Sequence, residues 1–300
     1  MTISGFTMVR NATKLYFPIK ESISSILPIV DEFVVALGKG DNDDKTQEEI
    51  LSLQSSKIKI IHREWDPVLY KDGKIFAHET NVALNECNGD WCFYLQADEV
   101  IHEDDLSYIQ QACQHFLNNK RVDGFTLKYH HFFGDYQHYL PIHGWCRNEI
   151  RIIRNRIGVY SYNDANTFRK GNNEKLNIIA LNAYVYHYGW VRPPVLMQKK
   201  KNVQDSIHAG NKEMVAKEEF FTYGNLSKVP QYKGSHPKVM HERIKNLFWN
   251  NELSFEKVRL LRPKMKHEKL KYKLLSFFEN KILGGKQLFG YKNWKKVGRY

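Results

Sequence analysis

The chain has 300 residues and a formal net charge of +12, with 42% hydrophobic and 26% charged residues. A chain of this length buries a substantial core, and this composition is typical of a globular protein, which excludes a short peptide module and a disordered or fibrous protein. The four cysteines form no C-x-x-C pair, so the sequence predicts neither a zinc site nor a disulfide framework.

The positive charge is concentrated at the C-terminal end. Residues 251–300 contain 14 lysines and arginines against four glutamates, so about +10 of the net charge lies in the last sixth of the chain. This asymmetry predicts a catalytic body at residues 1–210 and a helical, basic C-terminal extension at residues 211–300. It argues against a nucleic-acid-binding surface spread over the protein, and no nucleic acid partner is expected.

The sequence shows no targeting or membrane-spanning segment. The first six residues lack a basic stretch followed by an apolar run, so no secretory signal is predicted. No stretch approaches the roughly 18 uninterrupted apolar residues of a transmembrane helix. We therefore expect a cytoplasmic protein.

The first 120 residues alternate short apolar runs with helical patterns, which is typical of β-α-β units on a mostly parallel sheet. The predicted strands are 5–9, 32–37, 57–61 and 91–95, and the predicted helices are 15–27, 46–53, 76–87 and 106–117. Ligands of open α/β sheets bind at the carboxyl ends of the strands. The loops after Val9, Leu37, Ile61 and Leu95 are therefore where chemistry is expected.

The second half is predicted to complete the sheet and to shape an acceptor pocket. Its strand-like pieces are rich in tyrosine, phenylalanine and histidine. They lie at 125–129, 149–153 and 183–187, with helices at 194–209 and 238–248. Further on, an apolar stripe flanked by lysines comprises Leu270, Leu274, Phe277, Phe278 and Ile282. The stripe is compatible with peripheral contact with an anionic membrane, and an ordinary helix with one solvated face is the alternative.

Adjacent carboxylates follow the fourth strand directly. Asp98 and Glu99 come after the apolar run Trp91 to Leu95, which places both acids at the carboxyl end of a strand. Taken alone, they are equally compatible with a solvated turn before the next helix.

Several motifs in order give this turn a context. They are Thr7-Met8-Val9-Arg10-Asn11, Asp31-Glu32-Phe33-Val34-Val35, Asp44-Lys45-Thr46, the run Asn81 to Asp90, and Gln96-Ala97-Asp98-Glu99. With these features, from Gly5 to about Lys201, the sequence resembles the family-2 glycosyltransferases, which usually carry Asp-Ala-Asp-Glu at the last motif. The resemblance implies a GT-A fold, which is a Rossmann-like α/β architecture with a mixed, mostly parallel sheet and flanking helices. It also implies transfer of a sugar from a nucleotide-diphosphate sugar.

The resemblance also implies roles for individual residues. Asp98 maps onto the aspartate that holds a divalent metal bridging the nucleotide diphosphate, and Mg²⁺ or Mn²⁺ prefers such oxygen ligands. Gln96 replaces the first acid of the motif, at a position that tends to contact the ribose, where an amide can still hydrogen-bond hydroxyls. The loop residues Val9, Arg10 and Asn11 are expected to hold the nucleotide. Asp44 is expected to contact the base or to organise its loop.

A second cluster follows the last predicted strand and contains His187, Arg192 and Lys200. In many relatives a histidine at this point completes the metal site, so the resemblance makes His187 the second candidate ligand. Arg192 and Lys200 are candidates for neutralising charge on the departing diphosphate. A satisfied structural histidine and a solvated lysine face are the alternatives.

Inverting transfer also needs a general base for the acceptor hydroxyl. Family members supply a carboxylate from beyond the acidic turn, which makes Asp164 the first candidate and Glu149 the second, with a turn-forming Asn-Asp pair as the alternative reading of Asp164. The predicted reaction is a metal-assisted single displacement onto a glycan, lipid-linked or lipopolysaccharide-type acceptor. A lipid-linked acceptor would place the protein at the inner face of the membrane.

Two other functions remain open from the sequence. A nucleotidyltransferase would also pair an α/β sheet with a metal carboxylate site, although the Arg10-Asn11 loop is not a glycine-rich phosphate loop. A non-catalytic protein that binds anionic lipid or nucleic acid through its basic tail is the second alternative.

Overall fold

A computed structural model describes residues 1–210, 221–256, 262–290 and 292–300, and these form one large mixed sheet with helices on both faces. The strands are β1 (Ile3–Val9), β2 (Glu32–Gly38), β3 (Ile58–Arg63), β4 (Trp91–Tyr94), β5 (Glu99–Ile101), β6 (Gly124–Phe133), β7 (Asn148–Arg154), β8 (Val159–Tyr162), β9 (Thr167–Lys170), β10 (Glu174–Lys175), β11 (Asn177–Trp190) and β12 (Lys295–Arg299). The helices are α1 (Ile19–Ile26), α2 (Thr46–Leu51), α3 (Lys74–Asn85), α4 (Glu103–His115), α5 (Pro194–Ala209), α6 (His241–Lys245) and α7 (Leu270–Phe277).

The main sheet has the strand order β12-β11-β6-β7-β4-β1-β2-β3, and β5 pairs with β11. Strands β7 and β5 are antiparallel to their neighbours, and all other pairings in the sheet are parallel. The expected α/β class with a mostly parallel mixed sheet and flanking helices is thereby confirmed. A small three-stranded sheet of β8, β9 and β10 lies beside it.

The side chains of the central strands point alternately to the two faces of the sheet, and both faces are covered. Phe33 and Val35 of β2 point into one core, together with α1 and α4, while Val34 and Ala36 point into a second core, together with α3. Successive side chains of a strand lie on opposite faces, so a run that is apolar at every position becomes buried on both sides.

Gly5 illustrates how tightly the first core is packed. A Cβ atom at this position would lie 2.4 Å from Cδ2 of the Phe33 ring on the neighbouring strand. The glycine therefore lets the Phe33 ring lie across β1.

The predicted elements exist, with shifted limits. Helix α1 begins at Ile19 rather than at residue 15, because the position before Pro18 disfavours helical backbone. Strands β6 and β11 are longer than their predicted pieces, with 10 and 14 residues. Their polar histidines and tyrosines hid the ends of both strands from pattern reading.

The C-terminal part is more than a helical extension, so that expectation is not confirmed. Its described residues contain the short helices α6 and α7, but β12 joins the main sheet as an edge strand parallel to β11. Buried aromatic residues such as Tyr223 and Trp249 share a core with Phe132 of β6 and Tyr188 of β11. The predicted boundary after residue 210 stays a prediction, since residues 211–220 lie outside the described part.

One edge of the sheet contains the carboxyl ends of β1, β4, β6 and β11. The amino end of β7 lies at the same edge, because β7 alone among these strands runs in the opposite direction. The candidate residues gather at this edge. None of the described helices is long and apolar enough to cross a bilayer.

Candidate active site

The predicted acidic turn connects β4 to β5 at the carboxyl edge of the sheet. Asp98 lies in this turn and is buried, with its backbone carbonyl accepting a hydrogen bond from the Tyr188 amide at 2.8 Å. Because β5 pairs with β11, with Glu99 opposite His187, the turn is held against the end of β11. The two sequence-predicted metal ligands thus become neighbours, with Asp98 Oδ2 3.8 Å from His187 Nε2.

Hydrogen bonds define which nitrogen of His187 is available. His131 Nε2 lies 2.6 Å from the Cys146 carbonyl oxygen, which can only accept, so this nitrogen carries the hydrogen. Burial and the neighbouring His187 lower the pKa of His131 to about 3. Its unprotonated Nδ1 therefore accepts from His187 Nδ1, 3.0 Å away. Burial also lowers the pKa of His187 to about 4, so its Nε2 lone pair faces Asp98, as a metal ligand requires.

Two buried cations adjoin the same carboxylate. Lys200 Nζ donates to Asp98 Oδ2 at 3.2 Å and to the Gly189 carbonyl at 2.8 Å, and the Arg192 guanidinium donates to that carbonyl at 3.1 Å. Burial opposes ionisation of Asp98, but the positive charges of Lys200 and Arg192 outweigh it and hold the pKa of the carboxyl below its usual range. Burial, with Arg192 adding to it, lowers the pKa of Lys200 to about 8.

Gly189 lets both candidate ligands lie close to its backbone, because it carries no side chain. A Cβ at this position would lie 2.5 Å from His187 Nε2 and 2.8 Å from Asp98 Oδ2. An ionised carboxylate and a neutral imidazole with a free lone pair, close together at a position that only glycine leaves clear, suit a Mn²⁺ or Mg²⁺ ion. The residues present therefore fit the implied metal.

Glu99, beside Asp98 in sequence, has a different role. Its carboxylate forms two 2.8 Å hydrogen bonds with Arg151, accepts the Tyr129 hydroxyl at 2.6 Å and accepts the Gln96 amide at 3.1 Å. This fully buried pair joins the turn to β7 and β6. Glu99 therefore positions the turn while Asp98 remains available to a ligand.

The loops after β1 and β3 present unpaired donors. Arg10 donates through Nη1 to the Tyr70 hydroxyl at 3.2 Å and lies 5.6 Å from the Trp65 ring. Its Nε and the indole Nε1 of Trp65 are buried without a hydrogen-bond partner among the described residues. Buried donors normally find acceptors, so these two suit the oxygen atoms of a ligand.

Asn11 and Asp44 connect the loops after β1 and β2. Asn11 adopts φ 55° and its side-chain oxygen accepts the Asp41 amide at 2.8 Å, while Asp44 accepts the hydroxyls of Thr13 and Thr46 at 2.7 and 2.8 Å. For Asp44 this geometry corresponds to the loop-organising alternative. Beside these loops is a cavity of about 560 Å³ lined by Gly38 to Asp41 and by His62 to Glu64.

The two candidate bases occupy different environments. Glu149, at the amino end of β7, is partly buried, and its Oε2 has no hydrogen-bond partner among the described residues. Burial raises its pKa to about 8, with Glu99 and Asp164 adding to the effect and Arg151 opposing it. Asp164 lies on the hairpin between β8 and β9, where it accepts the Asn166 amide at 2.5 Å. Neither carboxylate has a described contact with Asp98 or His187.

The sequence did not point to His131 or Trp65 as partners of the site. Their signals were weak, because each is a single residue in a strand or loop whose neighbours in space are distant in sequence. Another group, His102, Glu103 and Asp104, brings its potential ligand atoms within 4.8 Å of one another. There, however, His102 Nδ1 accepts the Asp104 amide and caps α4.

No family model and no curated protein matches this chain. Among solved structures, the chain is similar to S. aureus TarS 1-349, with 16% identity over 70% of this chain and 70% of that chain and a TM-score of 0.39. It is also similar to S. aureus TarS 1-349 in complex with UDP-GlcNAc, with 22% identity, 44% and 34% coverage and a TM-score of 0.30. For glucosyl-3-phosphoglycerate synthase from Mycobacterium tuberculosis in complex with Mn²⁺, UDP and phosphoglyceric acid, the values are 19% identity, 43% and 42% coverage and a TM-score of 0.30.

The chain spans 34%, 39% and 42% of the first three solved structures that it matches. Similarities of this extent do not identify a reaction.

Proposed function

We propose that the protein is a nucleotide-sugar-dependent glycosyltransferase that works by metal-assisted single displacement with inversion. The observation that carries the proposal is the pairing of ionised Asp98 with the free Nε2 of His187, 3.8 Å away, beside Gly189 and two buried cations. A carboxylate, an imidazole and basic side chains around one open position are suited to a nucleotide diphosphate with its cation.

Asp98 and His187 would hold Mn²⁺ or Mg²⁺, which supplies Lewis-acid stabilisation of the diphosphate when bound. Lys200 and Arg192 add positive charge at the same place, where they stabilise the negative charge that develops on the leaving group. Arg10 and Trp65 offer unpaired donors to the nucleotide. Gln96 offers its amide to the ribose.

In the transfer step, the acceptor oxygen bonds to the anomeric carbon while the bond from that carbon to the diphosphate oxygen breaks. The diphosphate leaves with the electron pair, and the hydroxyl proton passes to a carboxylate. Because a pKa of about 8 keeps Glu149 largely protonated at neutral pH, we assign the base to Asp164. Glu149 then serves as a neutral hydrogen-bond donor to sugar or acceptor oxygens.

The central test is a screen of nucleotide sugars with Mn²⁺ or Mg²⁺, monitoring release of the nucleoside diphosphate. Turnover is expected for the unmodified protein and should be lost in Asp98→Asn and His187→Ala. Unchanged turnover in Asp98→Asn, or no binding of any nucleotide sugar with Mn²⁺ present, would refute the proposal. Pyrophosphate release from a nucleoside triphosphate would instead identify a nucleotidyltransferase.

The assignment of the base has its own matched pair of variants. Glu149→Gln mimics a protonated carboxyl and should keep most of the activity, whereas Asp164→Asn removes the proton acceptor and should lower kcat by roughly 10²–10⁴-fold. Both substitutions replace a carboxyl group by an amide of the same size. The reverse ranking of the two variants would move the base to Glu149.

We also propose peripheral contact with an anionic membrane, which would suit a lipid-linked acceptor. The stripe on α7 and the following turn exposes Leu270, Phe277 and Ile282 by 72, 57 and 61%, among lysines such as Lys271 and Lys273. Exposed apolar side chains flanked by cations are typical of an interfacial helix. Sedimentation with phosphatidylglycerol vesicles should fall on Phe277→Ser. Salt-dependent lipid binding that persists in a protein without turnover would favour a non-catalytic binding protein.

A further inference from the structure

A large cavity extends from the candidate active site to the C-terminal segment. It has a volume of about 1130 Å³ and lies between the strands β6, β7 and β11 and residues from the ranges 283–290 and 292–300. His131 and Glu149 line it where it approaches the site, and His131 is hydrogen-bonded to His187. A ligand in this cavity would therefore have one end beside the candidate cation ligands.

The charge of the lining is strongly one-sided. Glu149 is the one acidic side chain in the lining, and the cationic members are Lys128, Arg147, Lys286, Lys292, Lys296 and Arg299. Within the described parts of the chain, Arg147 is the only one of the six with a carboxylate partner, which is Glu279 at 2.8 Å. The other five form a set of like charges without an ion-pair partner in those parts of the chain.

Two further features indicate that a ligand belongs here. Burial and the charges of Arg299 and Lys292 lower the pKa of Lys296, which shows that these cations are close enough to repel one another. In addition, Arg147 Nε is shielded from solvent and has no hydrogen-bond partner among the described residues. Clustered cations and a buried unpaired donor are both stabilised by an anionic ligand.

Aromatic rings in the lining suit a carbohydrate. Trp145, Tyr184 and Trp294 are half-buried and line the cavity. Flat apolar ring faces combined with polar edges are suited to sugar rings, while the volume exceeds what a single monosaccharide needs. The combination of rings and cations therefore indicates a sugar that also carries negative charge.

We propose that this basic cavity is the acceptor site and that it binds a saccharide bearing anionic groups, either phosphate or carboxylate. The anionic group would lie against Lys296 and Arg299. The reacting hydroxyl would lie at the end of the cavity lined by Glu149, on which the charge of the proposed base Asp164 acts. The inference rests on the proposed glycosyltransferase function, because only a transferase has an acceptor substrate. Binding of the anionic sugar itself does not depend on that function.

The test measures direct binding without a donor, by calorimetric titration of glucose 6-phosphate, glucuronate and glucose into the full chain. The cavity variant is Lys296→Gln with Arg299→Gln. The control is Lys271→Gln with Lys273→Gln, which removes the same net charge from exposed lysines outside the lining. Thermal melting checks that each variant is folded.

The anionic sugars are expected to bind at least roughly tenfold more tightly than glucose, with a loss of roughly tenfold in the cavity variant and little change in the control. The stronger of the two anionic sugars identifies phosphate or carboxylate as the preferred group. If the cavity variant does not fold, Lys286→Gln with Lys292→Gln takes its place, since both lie in the loop region before β12.

Equal binding of glucose and the two anionic sugars would overturn the inference. Equal losses in the cavity variant and the control would also overturn it, because they would reduce the effect to overall charge. Asp98→Asn separates the two proposals. It should abolish binding of UDP with Mn²⁺ and leave glucose 6-phosphate binding unchanged, so failure of the donor site and failure of the acceptor site give different results.

Discussion

Replacing Glu149 with glutamine is expected to change how the stability of the protein depends on pH. Burial raises the pKa of this carboxyl from 4.5 to about 8. The folded protein therefore binds this proton more tightly than the unfolded chain does, so the free energy of unfolding falls as pH rises from about 4.5 to about 8 and levels off above that. Glutamine carries no titratable proton, and the variant should lack this decline.

The magnitude follows from the size of the shift. Each pKa unit corresponds to about 1.4 kcal/mol, so complete ionisation of a fully shielded Glu149 would cost on the order of 4–5 kcal/mol. The side chain is partly exposed, and water reduces the cost of its charge. We therefore expect the stability of Glu149→Gln relative to the unmodified protein to increase by about 2 kcal/mol across this pH window.

The assay is urea unfolding of the unmodified protein, Glu149→Gln and Asp164→Asn at about pH 5.5 and about pH 8.5. The free energy of unfolding of the unmodified protein is subtracted from that of each variant, which removes the contributions of titratable groups that the two proteins share. A stability difference for Glu149→Gln that is the same at both pH values would refute the assignment of a protonated Glu149. It would also remove the reason for preferring Asp164 as the base.

Three further outcomes follow from the geometry. Mn²⁺ should stabilise the unmodified protein against thermal unfolding by about 2–3 kcal/mol at a hundredfold excess over Kd. Gly189→Ala should abolish this stabilisation, because the Cβ of the alanine would lie 2.5 Å from His187 Nε2. An unchanged thermal shift would place the metal elsewhere. Glu99→Gln leaves Arg151 buried without its counter-ion and should lower the free energy of unfolding, measured in urea, by about 3–5 kcal/mol. A decrease below about 1 kcal/mol would show that the pair is hydrated. Trp249→Ala removes a fully buried ring and should lower the free energy of unfolding by about 3–5 kcal/mol, while Mn²⁺ affinity stays unchanged. Weakened Mn²⁺ binding would show that the core around Trp249 and Tyr188 supports the site.

The proximity of Asp98 and His187 was predictable because Asp98 follows one apolar strand and His187 lies near the carboxyl end of another, and strand ends converge at one edge of a parallel sheet. The motif order from Thr7 to Glu99 added the expectation that they bind one cation. The roles of these residues, and those of Gln96, Arg192 and Lys200, stay predictions. The structure adds that Lys200 and Arg192 lie beside Asp98 and are buried, whereas the lysine run alone left a solvated helix face equally open.

The C-terminal region shows the limit of pattern reading most clearly. Its lysines and scattered apolar residues indicated a helical appendage, yet β12 pairs with β11 and lines the basic cavity. The residues between β11 and β12 are too many for local periodicity to reveal that the two segments meet. Edge-strand pairing depends on backbone hydrogen bonds, which leave little trace in side-chain type.

The sequence by itself determined the α/β class, the order of the main elements and the acidic turn, because hydrophobic periodicity and strand-end chemistry are local. Tertiary structure alone decided that Glu99 is held by Arg151 while Asp98 lies beside Lys200 and His187, and that His131 orients His187. It also decided that a carboxyl at position 149 becomes shielded enough to retain its proton. These properties depend on contacts between segments far apart in the chain, where burial and neighbouring charge set the protonation of each group.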